Sequence, residues 1–314
     1  MNTDLLNILL QKNTFTSCYE YFVINAIYNV MVDINKFYNL RYYHDDILPI
    51  LQTNLNSFQI INIDINFEHT LVLSGGRDTG TAIMGNIEYN DHTYLIRVVN
   101  LDKLMDEDIV VDYSRPNIVN INSSDKVANI VKLSKKLLYI PPMLYPYDPR
   151  PGPGTGPGPR PRSIDCLTTF IYTNQPRRLK FLNLLKESGI NNLNVSNCYK
   201  YDELRTLLKS TKIILNIHQT DQHHTAEELR ILPALLNGII VISEDVPLKE
   251  EIPYHEYIIW SSLQDIPSKY KEVYENYDKY YDKFFGLDSG LKEILKKMTD
   301  TMNNDIKEML IKMN

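Results

Sequence analysis

The chain has 314 residues, of which 43% are hydrophobic and 23% are charged, and its formal net charge at pH 7 is −6. This composition is average for a soluble globular protein, and the length is enough for two domains of ordinary size. The negative charge argues against a surface that follows nucleic-acid phosphates, because such a surface needs clustered Lys and Arg. The three cysteines, Cys18, Cys166 and Cys198, are too widely spaced to indicate a disulfide framework or a zinc cluster.

The sequence predicts a cytoplasmic protein without a membrane span. Its first residues, MNTDLLNILLQKN, lack the basic start and long apolar core of a signal peptide. No apolar run approaches the roughly 18 residues that a membrane-spanning helix needs. The abundant Asn, Ile and Lys and the 22 Tyr residues indicate an AT-rich coding genome, such as that of a giant DNA virus or a protist. For a viral protein the predicted location is the host cytoplasm or the viral factory.

The first part of the chain, residues 1–149, is predicted to form an irregular α/β lobe. Residues 19–34 are apolar almost all round, which indicates a buried helix or a strand–helix passage. A hairpin is predicted over residues 85–100, with its turn at Asn90-Asp91, because both residues tolerate positive φ. The other predicted elements are a helix at 45–55 and strands at 57–65, 68–73, 109–111 and 137–140.

A glycine-rich loop, Ser74-Gly75-Gly76, follows the predicted strand at 68–73. Such a loop can bring backbone N–H groups close to an anion or an acceptor molecule. It has neither the Walker spacing nor the dinucleotide-binding GxGxxG pattern, and no GxGxxG follows any other strand, so an NAD-binding enzyme is not indicated. A plain hairpin loop is the alternative interpretation.

Residues 150–162, RPGPGTGPGPRPR, are of low complexity. The glycines recur at every second position rather than every third, so the segment does not meet the requirement of collagen. Alternating Pro and Gly form no regular hydrogen-bonded element. The segment is therefore interpreted as an interdomain linker or a surface loop, with a partner-docking segment as the alternative.

After this segment, strand and helix patterns alternate, which is typical of a parallel sheet. Strands are predicted at 164–172, 193–195, 212–217, 239–242 and 254–260, and helices at 179–188 and 201–209. A further helix has leucines at helical spacing and ends at Asn237-Gly238, a pair expected at a helix C-terminus. From Leu263 onward the chain is charged and Tyr-rich, with helical periodicity.

Polar side chains follow the strands of this sheet. Because the carboxyl ends of parallel strands meet at one edge, where such sheets bind ligands, these side chains are predicted to form a site. The strand ends contribute Asn216, His218, Ser243 and Glu244, the start of one helix contributes Glu227 and Arg230, and the start of another contributes Arg177 and Arg178.

Each of these groups has an ordinary structural alternative. Arg177 and Arg178 suit a pyrophosphate at a helix N-terminus, or they form a solvated basic turn. Glu227 and Arg230 bind a ligand or form a local ion pair, and Glu244 binds a ligand or caps the following turn. The histidines at 218, 223 and 224 do not have a known metal-ligand spacing, so no metal is predicted.

The pattern Asn216-x-His218, Glu227-x-x-Arg230-Ile231, a short apolar helix ending at Gly238, and the strand Ile240–Glu244 resembles the donor half of GT-B glycosyltransferases. The retaining, sugar-nucleotide-dependent, group-1-like enzymes are the most similar. The resemblance extends over residues 165–260. The paired glutamates of that family, eight positions apart, would fall at Thr225 and Pro233, and neither residue is acidic.

The resemblance implies two Rossmann-like lobes with a cleft between them, the N-terminal one reduced. It implies an acceptor-binding lobe at 1–149, a linker or loop at 150–162, a donor lobe at 163–280, and terminal helices at 281–314 that cross back to the first lobe. The implied activity is metal-independent, retaining hexosyl transfer from a UDP-sugar to a glycan or protein acceptor, without a cofactor. The alternative is a non-catalytic nucleotide-sugar-binding or scaffold protein.

The resemblance also assigns roles to residues. Glu227, Arg230 and His218 are expected to be catalytic, and Arg177, Arg178, Asn216, Ser243 and Glu244 are expected to bind the donor. The acceptor side is expected to comprise Ser74, Gly75, Gly76, Asp112 and Ser114.

Overall fold

The computed structural model describes residues 15–35, 39–42, 60–75, 81–123, 133–149, 162–173, 175–196, 200–222 and 224–313. The chain divides into two compact units. The first unit comprises Met1–Pro141 and Met298–Asn314, and the second comprises Pro142–Lys297. The predicted helix at 45–55, the loop residues Gly76–Gly80 and the Pro/Gly-rich residues 150–161 lie outside the described residues.

A four-stranded parallel sheet forms the centre of the first unit. Its order is β1 (Asn39–Tyr42), β2 (Ile60–Asn66), β6 (Ile109–Asp112) and β7 (Leu137–Tyr139). Ile61 and Ile63, on one face of β2, are 1% exposed, and the adjacent Val110 and Val111 of β6 are 0% exposed, so β6 is covered on both faces. Such burial explains the apolar run Ile109–Val111. Among the described residues, the helices of this unit are α1 (Phe15–Asp33), α2 (Leu101–Asp106), α3 (Arg115–Ser123) and the part of the terminal helix from Met298 onward.

A separate antiparallel sheet lies between β2 and β6 in the chain. It consists of β3 (Leu71–Leu73), β4 (Thr81–Tyr89) and β5 (His92–Val99), in the order β3-β5-β4. Asn90 and Asp91 form the predicted two-residue turn, with φ angles of 48° and 61°. Two consecutive residues with positive φ match the twist of the flanking strands. The predicted hairpin is therefore confirmed.

The second unit has a five-stranded sheet in which every pair of neighbours is parallel. Its order is β12 (Ile258–Ser261), β11 (Ile240–Glu244), β10 (Thr211–Asn216), β8 (Ile164–Thr168) and β9 (Asn192–Asn194). The chain adds β9 on one side of β8 and then returns to add β10 on the other side. The carboxyl ends of β8 and β10 therefore flank the point at which the strand order reverses, which is where doubly wound sheets bind ligands.

Six helices belong wholly or partly to the second unit: α4 (Pro176–Glu187), α5 (Tyr201–Lys209), α6 (Glu228–Leu236), α7 (Ile266–Glu275), α8 (Tyr277–Phe285) and the beginning of α9 (Leu291–Lys312). The helix predicted at 201–209 has the bounds of α5. The mixed α/β class and the parallel sheet of the second part of the chain are confirmed.

Three predicted strands are clearly shorter in the structure, for local reasons. The strand predicted at 254–260 begins only at Ile258, because His255–Tyr257 form a 3-10 helix. β3 begins at Leu71 rather than at Glu68, because the Asn66 side chain accepts a hydrogen bond from the Glu68 N–H at 3.3 Å and bends the chain there. β8 ends at Thr168, because beyond it the Asn194 side-chain amide, instead of a neighbouring backbone, donates to the Phe170 carbonyl at 3.1 Å.

The helix α6 ends as its Asn-Gly pair predicts. Gly238 has a φ of 66°, its N–H donates to the Leu235 carbonyl at 2.9 Å, and the Ile239 N–H donates to the Ala234 carbonyl at 3.1 Å. This left-handed cap turns the chain directly into β11. A Cβ atom at Gly238 would lie 2.3 Å from the Pro149 carbonyl oxygen, so the position requires glycine for space as well as for conformation.

Candidate functional site

The candidate site lies at the carboxyl edge of the second unit's sheet. Arg177 is in the first turn of α4, directly after the loop that leaves β8. His218 follows the end of β10, and Glu244 is the last residue of β11. Three elements that are separate in sequence thus bring a guanidinium, an imidazole and a carboxylate to one edge.

Arg177 and Glu244 form the centre of this cluster. Arg177 Nη1 donates to Glu244 Oε2 at 2.9 Å, and Nη2 donates to Glu244 Oε1, so the contact is bidentate. The two side chains are only 12% and 11% exposed. Removing one partner of such a buried pair costs about 3–5 kcal/mol, because the remaining charge is left without compensation. The two residues predicted to bind the donor therefore bind each other.

The loop after β10 is held by the same guanidinium group. Arg177 Nη1 donates to the His218 carbonyl at 3.1 Å, and Arg177 Nε donates to Asp221 Oδ1 at 2.5 Å. The His218 N–H donates to Glu244 Oε2 at 3.0 Å. His224 Nε2 lies 2.9 Å from the Asp221 carbonyl, and the His218 and His224 rings are 5.2 Å apart. Asp221 is thus a member of the site that the sequence analysis missed.

Burial decides the charge of the imidazole. It lowers the pKa of His218 to about 4, against the opposing attraction of Glu244, so His218 is neutral at pH 7. Burial also lowers the pKa of His224. For Glu244, burial acts to raise the pKa, but the charged form of His218 and the hydrogen bonds from Arg177 outweigh it and lower the pKa below its ordinary value. At pH 7 the cluster therefore holds one guanidinium cation between the carboxylates of Glu244 and Asp221.

Asn216 and Ser243 lie side by side at the ends of β10 and β11. Asn216 Nδ2 donates to Ser243 Oγ at 3.0 Å, and Ser243 Oγ donates to the Glu244 carbonyl at 3.2 Å. Asn216 is only 4% exposed, and its Oδ1 has no hydrogen-bond donor among the described residues. A buried acceptor of this kind needs a partner that the chain itself does not supply, such as water or a ligand hydroxyl.

Glu227 and Arg230 are at the start of α6. Arg230 Nη1 lies 3.9 Å from Glu227 Oε2, at the outer limit of an ion pair, and the side chains are 23% and 14% exposed. The same Nη1 atom is buried and has no hydrogen-bond acceptor among the described residues. Arg230 therefore keeps a donor for a further anion. The carboxylate of Glu228 is directed elsewhere, since it accepts a hydrogen bond from the buried Tyr254 hydroxyl at 2.7 Å.

Arg178 has a different environment from the one predicted for a phosphate ligand. It is 4% exposed, its guanidinium lies 5.1 Å from the centre of the Phe170 ring, and Nη1 donates to the Ile171 carbonyl at 3.3 Å. These contacts fix the loop between β8 and α4. Arg178 therefore supports the position of Arg177 from inside the unit.

The positions that align with the family's paired glutamates are interior. Thr225 is 1% exposed, and Pro233 is a buried residue inside α6. Asn237 Nδ2 donates to the Pro233 carbonyl at 2.8 Å at the end of that helix.

No protein-family model matches the chain. Among curated proteins, it is similar to the uncharacterized protein R358 of Acanthamoeba polyphaga mimivirus. The identity is 37% over 110 residues, which is 33% of this chain and 38% of that protein's length. The relative is a giant-virus protein. This similarity over part of the chain confirms the predicted relationship to giant-virus proteins. Membership of the glycosyltransferase family stays a prediction.

The predicted acceptor side belongs to the first unit, and two of its residues are interior. Asp112 and Ser114 are both 0% exposed. Asp112 accepts hydrogen bonds from Asn66 Nδ2 at 2.7 Å, from the Ser114 N–H at 2.8 Å and from Asn117 Nδ2 at 3.2 Å. These contacts join the ends of β2 and β6 to α3. The Asp112 carboxylate thus connects β2, β6 and α3 at the carboxyl edge of the first unit's sheet.

The glycine-rich loop is described only in part. The Ser74 N–H donates to the Thr93 carbonyl at 2.9 Å, and Gly75 has a φ of 94°. Gly76 lies outside the described residues, as does His223.

Within the described ranges, no helix is both long and apolar enough to cross a bilayer. In the same residues, no group of three or more His, Cys, Asp or Glu side chains could hold a metal ion.

Proposed function

We propose that this protein is a GT-B-type glycosyltransferase that binds a nucleotide sugar at the carboxyl edge of the second unit's sheet. The expected nucleotide sugar is a UDP-sugar. The observation that carries the proposal is Arg230. Its Nη1 atom is buried in the first turn of α6 and has no hydrogen-bond acceptor among the described residues. A guanidinium at a helix start that lacks an acceptor suits a phosphate oxygen, because the helix N-terminus also favours negative charge.

The position of Arg230 agrees with the chemistry of sugar transfer. The reaction breaks the bond between the anomeric carbon and a diphosphate oxygen, and it forms a bond from that carbon to an acceptor hydroxyl oxygen. Negative charge develops on the leaving diphosphate, and in a retaining reaction one of its oxygens takes up the proton that the acceptor hydroxyl loses. A fixed guanidinium that donates to the diphosphate stabilises this charge without a metal ion. The orphan Asn216 Oδ1 offers an acceptor for a hydroxyl of the same ligand.

A retaining and an inverting reaction place different demands on the first unit. A retaining enzyme needs no strong base beside the acceptor, whereas an inverting enzyme needs a His or Asp there to take the proton. Asp112 is fully buried and accepts hydrogen bonds from Asn66, Ser114 and Asn117. It is therefore a poor candidate for this base, and the retaining reaction does not require it.

The second candidate is a protein that binds a nucleotide sugar without transferring it. The observation in its favour is that Arg177 already pairs with Glu244 and Asp221, and that Asp112 and Ser114 are interior. The two candidates differ in turnover. The catalytic protein hydrolyses or transfers from a UDP-sugar, whereas the binding protein has affinity for UDP and releases no sugar.

Calorimetric titration with UDP tests the proposal. Arg230→Ala should abolish UDP binding with little loss of fold, and Lys186→Ala is the matched control because it removes an exposed positive charge from the last turn of α4. Unchanged UDP affinity in Arg230→Ala would overturn the donor assignment. A panel of sugar nucleotides, followed for hydrolysis with the wild-type protein, then separates the two candidates.

A further inference from the structure

The Arg177 guanidinium holds two carboxylates of unequal accessibility. Glu244 is 11% exposed at its side chain and accepts three hydrogen bonds, two from Arg177 and one from the His218 N–H. Asp221 is 84% exposed and accepts a single hydrogen bond from Arg177, at Nε. Solvent screens the exposed pair, so it contributes little, whereas the buried bidentate pair is strong. An external anion can therefore replace Asp221 much more easily than Glu244.

The charges of the cluster also indicate that Asp221, rather than Glu244, is the carboxylate that a ligand displaces. Arg177 carries one positive charge, while Asp221 and Glu244 together carry two negative ones at pH 7. An anionic ligand that approached the cluster with Asp221 in place would meet an excess of negative charge. If the ligand takes the place of Asp221 on Arg177 Nε, that carboxylate moves into solvent and the repulsion falls.

We infer that Asp221 occupies the place of a ligand anion: a phosphate group binds Arg177 at Nε by displacing the Asp221 carboxylate, and the turn from Gln219 to Gln222 is released when it does so. Asp221 is thus a competitor that sets the affinity of the site. This inference deepens the proposed function, since a nucleotide sugar carries the phosphates that Arg177 would receive. It does not depend on which sugar or base the ligand has.

The contacts of Asp221 and Gln222 explain why displacing the Asp221 carboxylate should release the turn. The backbone carbonyl of Asp221 lies 2.9 Å from His224 Nε2, and the Gln222 N–H donates to Thr220 Oγ1 at 3.1 Å. The exposed turn is therefore tied to the sheet edge at Asp221 by one ion pair and one contact to His224. Loss of the ion pair removes half of that attachment, while the His218 N–H remains bound to Glu244 at the base of the turn.

Calorimetric titration of the full chain with inorganic pyrophosphate tests the competition. Asp221→Asn removes the competing charge and should tighten binding by roughly two- to fivefold, the effect expected for loss of one exposed ion pair. Asp288→Asn is the matched control, because it makes the same change at an exposed aspartate of the second unit, and it should leave the affinity at the wild-type value. Equal or weaker binding by Asp221→Asn would overturn the inference, as would a complete lack of pyrophosphate binding by both proteins.

Hydrogen–deuterium exchange of the wild-type protein tests the release directly, without any variant. Pyrophosphate should increase amide exchange in peptides that cover residues 219–222, whereas simple covering of the turn by a ligand would decrease it. A decrease, or no change at saturating pyrophosphate, would overturn the inference. Parallel titration with UDP separates the two proposals. If UDP binding depends on Arg230 but not on Asp221, only this inference fails; if pyrophosphate displaces Asp221 but UDP does not bind, only the proposed function fails.

Discussion

Arg162 joins the two ends of the Pro/Gly-rich segment. Its Nη2 atom donates to the Pro149 carbonyl at 3.2 Å and to the Asn237 carbonyl at 2.7 Å, and Nη1 donates to the Thr211 carbonyl at 2.6 Å. Pro149 and Arg162 both belong to the second unit, whose boundary is at Pro142. Pro149 and Arg162, which flank residues 150–161, are therefore fixed within the same unit, and the interpretation of residues 150–162 as a linker or a surface loop stays a prediction.

Because the ends are fixed, the sequence of the segment itself should matter little. Replacing residues 152–159 with a Gly/Ser run of equal length should leave the melting temperature and any donor hydrolysis unchanged, since neither sequence contributes a packed core. Arg162→Ala should instead lower the free energy of unfolding by about 2–4 kcal/mol, because buried carbonyls lose their donor. Urea unfolding compares the two variants. A large loss of activity in the Gly/Ser variant would show that the segment orders part of the site.

Two glycines in the second unit allow the cost of a left-handed backbone conformation to be separated from the cost of a steric clash. Gly238 and Gly189 have φ angles of 66° and 71°, so an alanine at either is strained by about 1–2 kcal/mol. At Gly189 a Cβ atom meets nothing within 4 Å, whereas at Gly238 it meets Pro149 backbone atoms from 2.3 Å. Gly238→Ala should therefore cost roughly 1–3 kcal/mol more than Gly189→Ala. Thermal unfolding of the two variants measures the difference, and equal costs would mean that Pro149 moves aside freely.

The stability of the second unit should fall on acidification because of His218. Burial lowers its folded-state pKa to about 4, whereas the unfolded chain has the ordinary value of 6.5. Below pH 6.5 the unfolded state binds a proton that the folded state does not, so the free energy of unfolding decreases, by about 2 kcal/mol between pH 7 and pH 5. Glu244 acts in the same direction at lower pH, because its folded-state pKa is lowered and its contribution is lost as pH falls through that value.

Fluorescence of Trp260, the single tryptophan of the chain, reports unfolding of the unit that contains His218. Urea titrations at pH 7, 6 and 5 should give a shallower pH dependence for His218→Asn than for the wild type. His92→Gln, at an exposed histidine of the first unit, should retain the wild-type slope. An unchanged slope in His218→Asn would mean that this imidazole is not kept neutral by burial.

The order of elements in the second unit could be predicted from local sequence, because β-branched runs, leucine spacing and the Asn237-Gly238 cap each act within a few residues. The convergence of Arg177, His218 and Glu244 could also be predicted, since parallel strands gather their carboxyl ends. Their pairing could not, because whether Arg177 faces Glu244 or a ligand depends on side-chain contacts between residues far apart in sequence. Asp221 was missed for the same reason: an exposed aspartate in a polar loop carries no local signal.

The first unit was less predictable, for physical reasons that concern its polar core. Asp112 at a strand end has the same local appearance as Glu244, yet it is fully buried and bonded to Asn66 and Asn117. Only the pairing of β2 with β6 brings Asn66 beside Asp112, and that pairing joins strands separated by the whole antiparallel sheet.

An isolated donor-binding fragment has to begin before Arg162. A fragment that starts at Arg162 contains every residue of the candidate site, but it lacks residues 142–149 of the second unit. These residues make specific contacts: the Asp148 N–H donates to the Leu236 carbonyl at 2.9 Å, and Tyr201 Oη donates to the Leu144 carbonyl at 2.9 Å. Without them, the end of α6 and the start of α5 lose hydrogen bonds, and Arg162 loses Pro149 as a partner.

A fragment from Pro142 to Lys297, the bounds of the second unit, should therefore fold and bind UDP with the affinity of the full chain, while one from Arg162 to Lys297 should be less stable by several kcal/mol. Neither should transfer sugar, because the predicted acceptor residues of the first unit are missing. Thermal unfolding and calorimetric titration of both fragments beside the full chain test this. If the longer fragment is folded but does not bind UDP, the donor site does not lie wholly on the second unit.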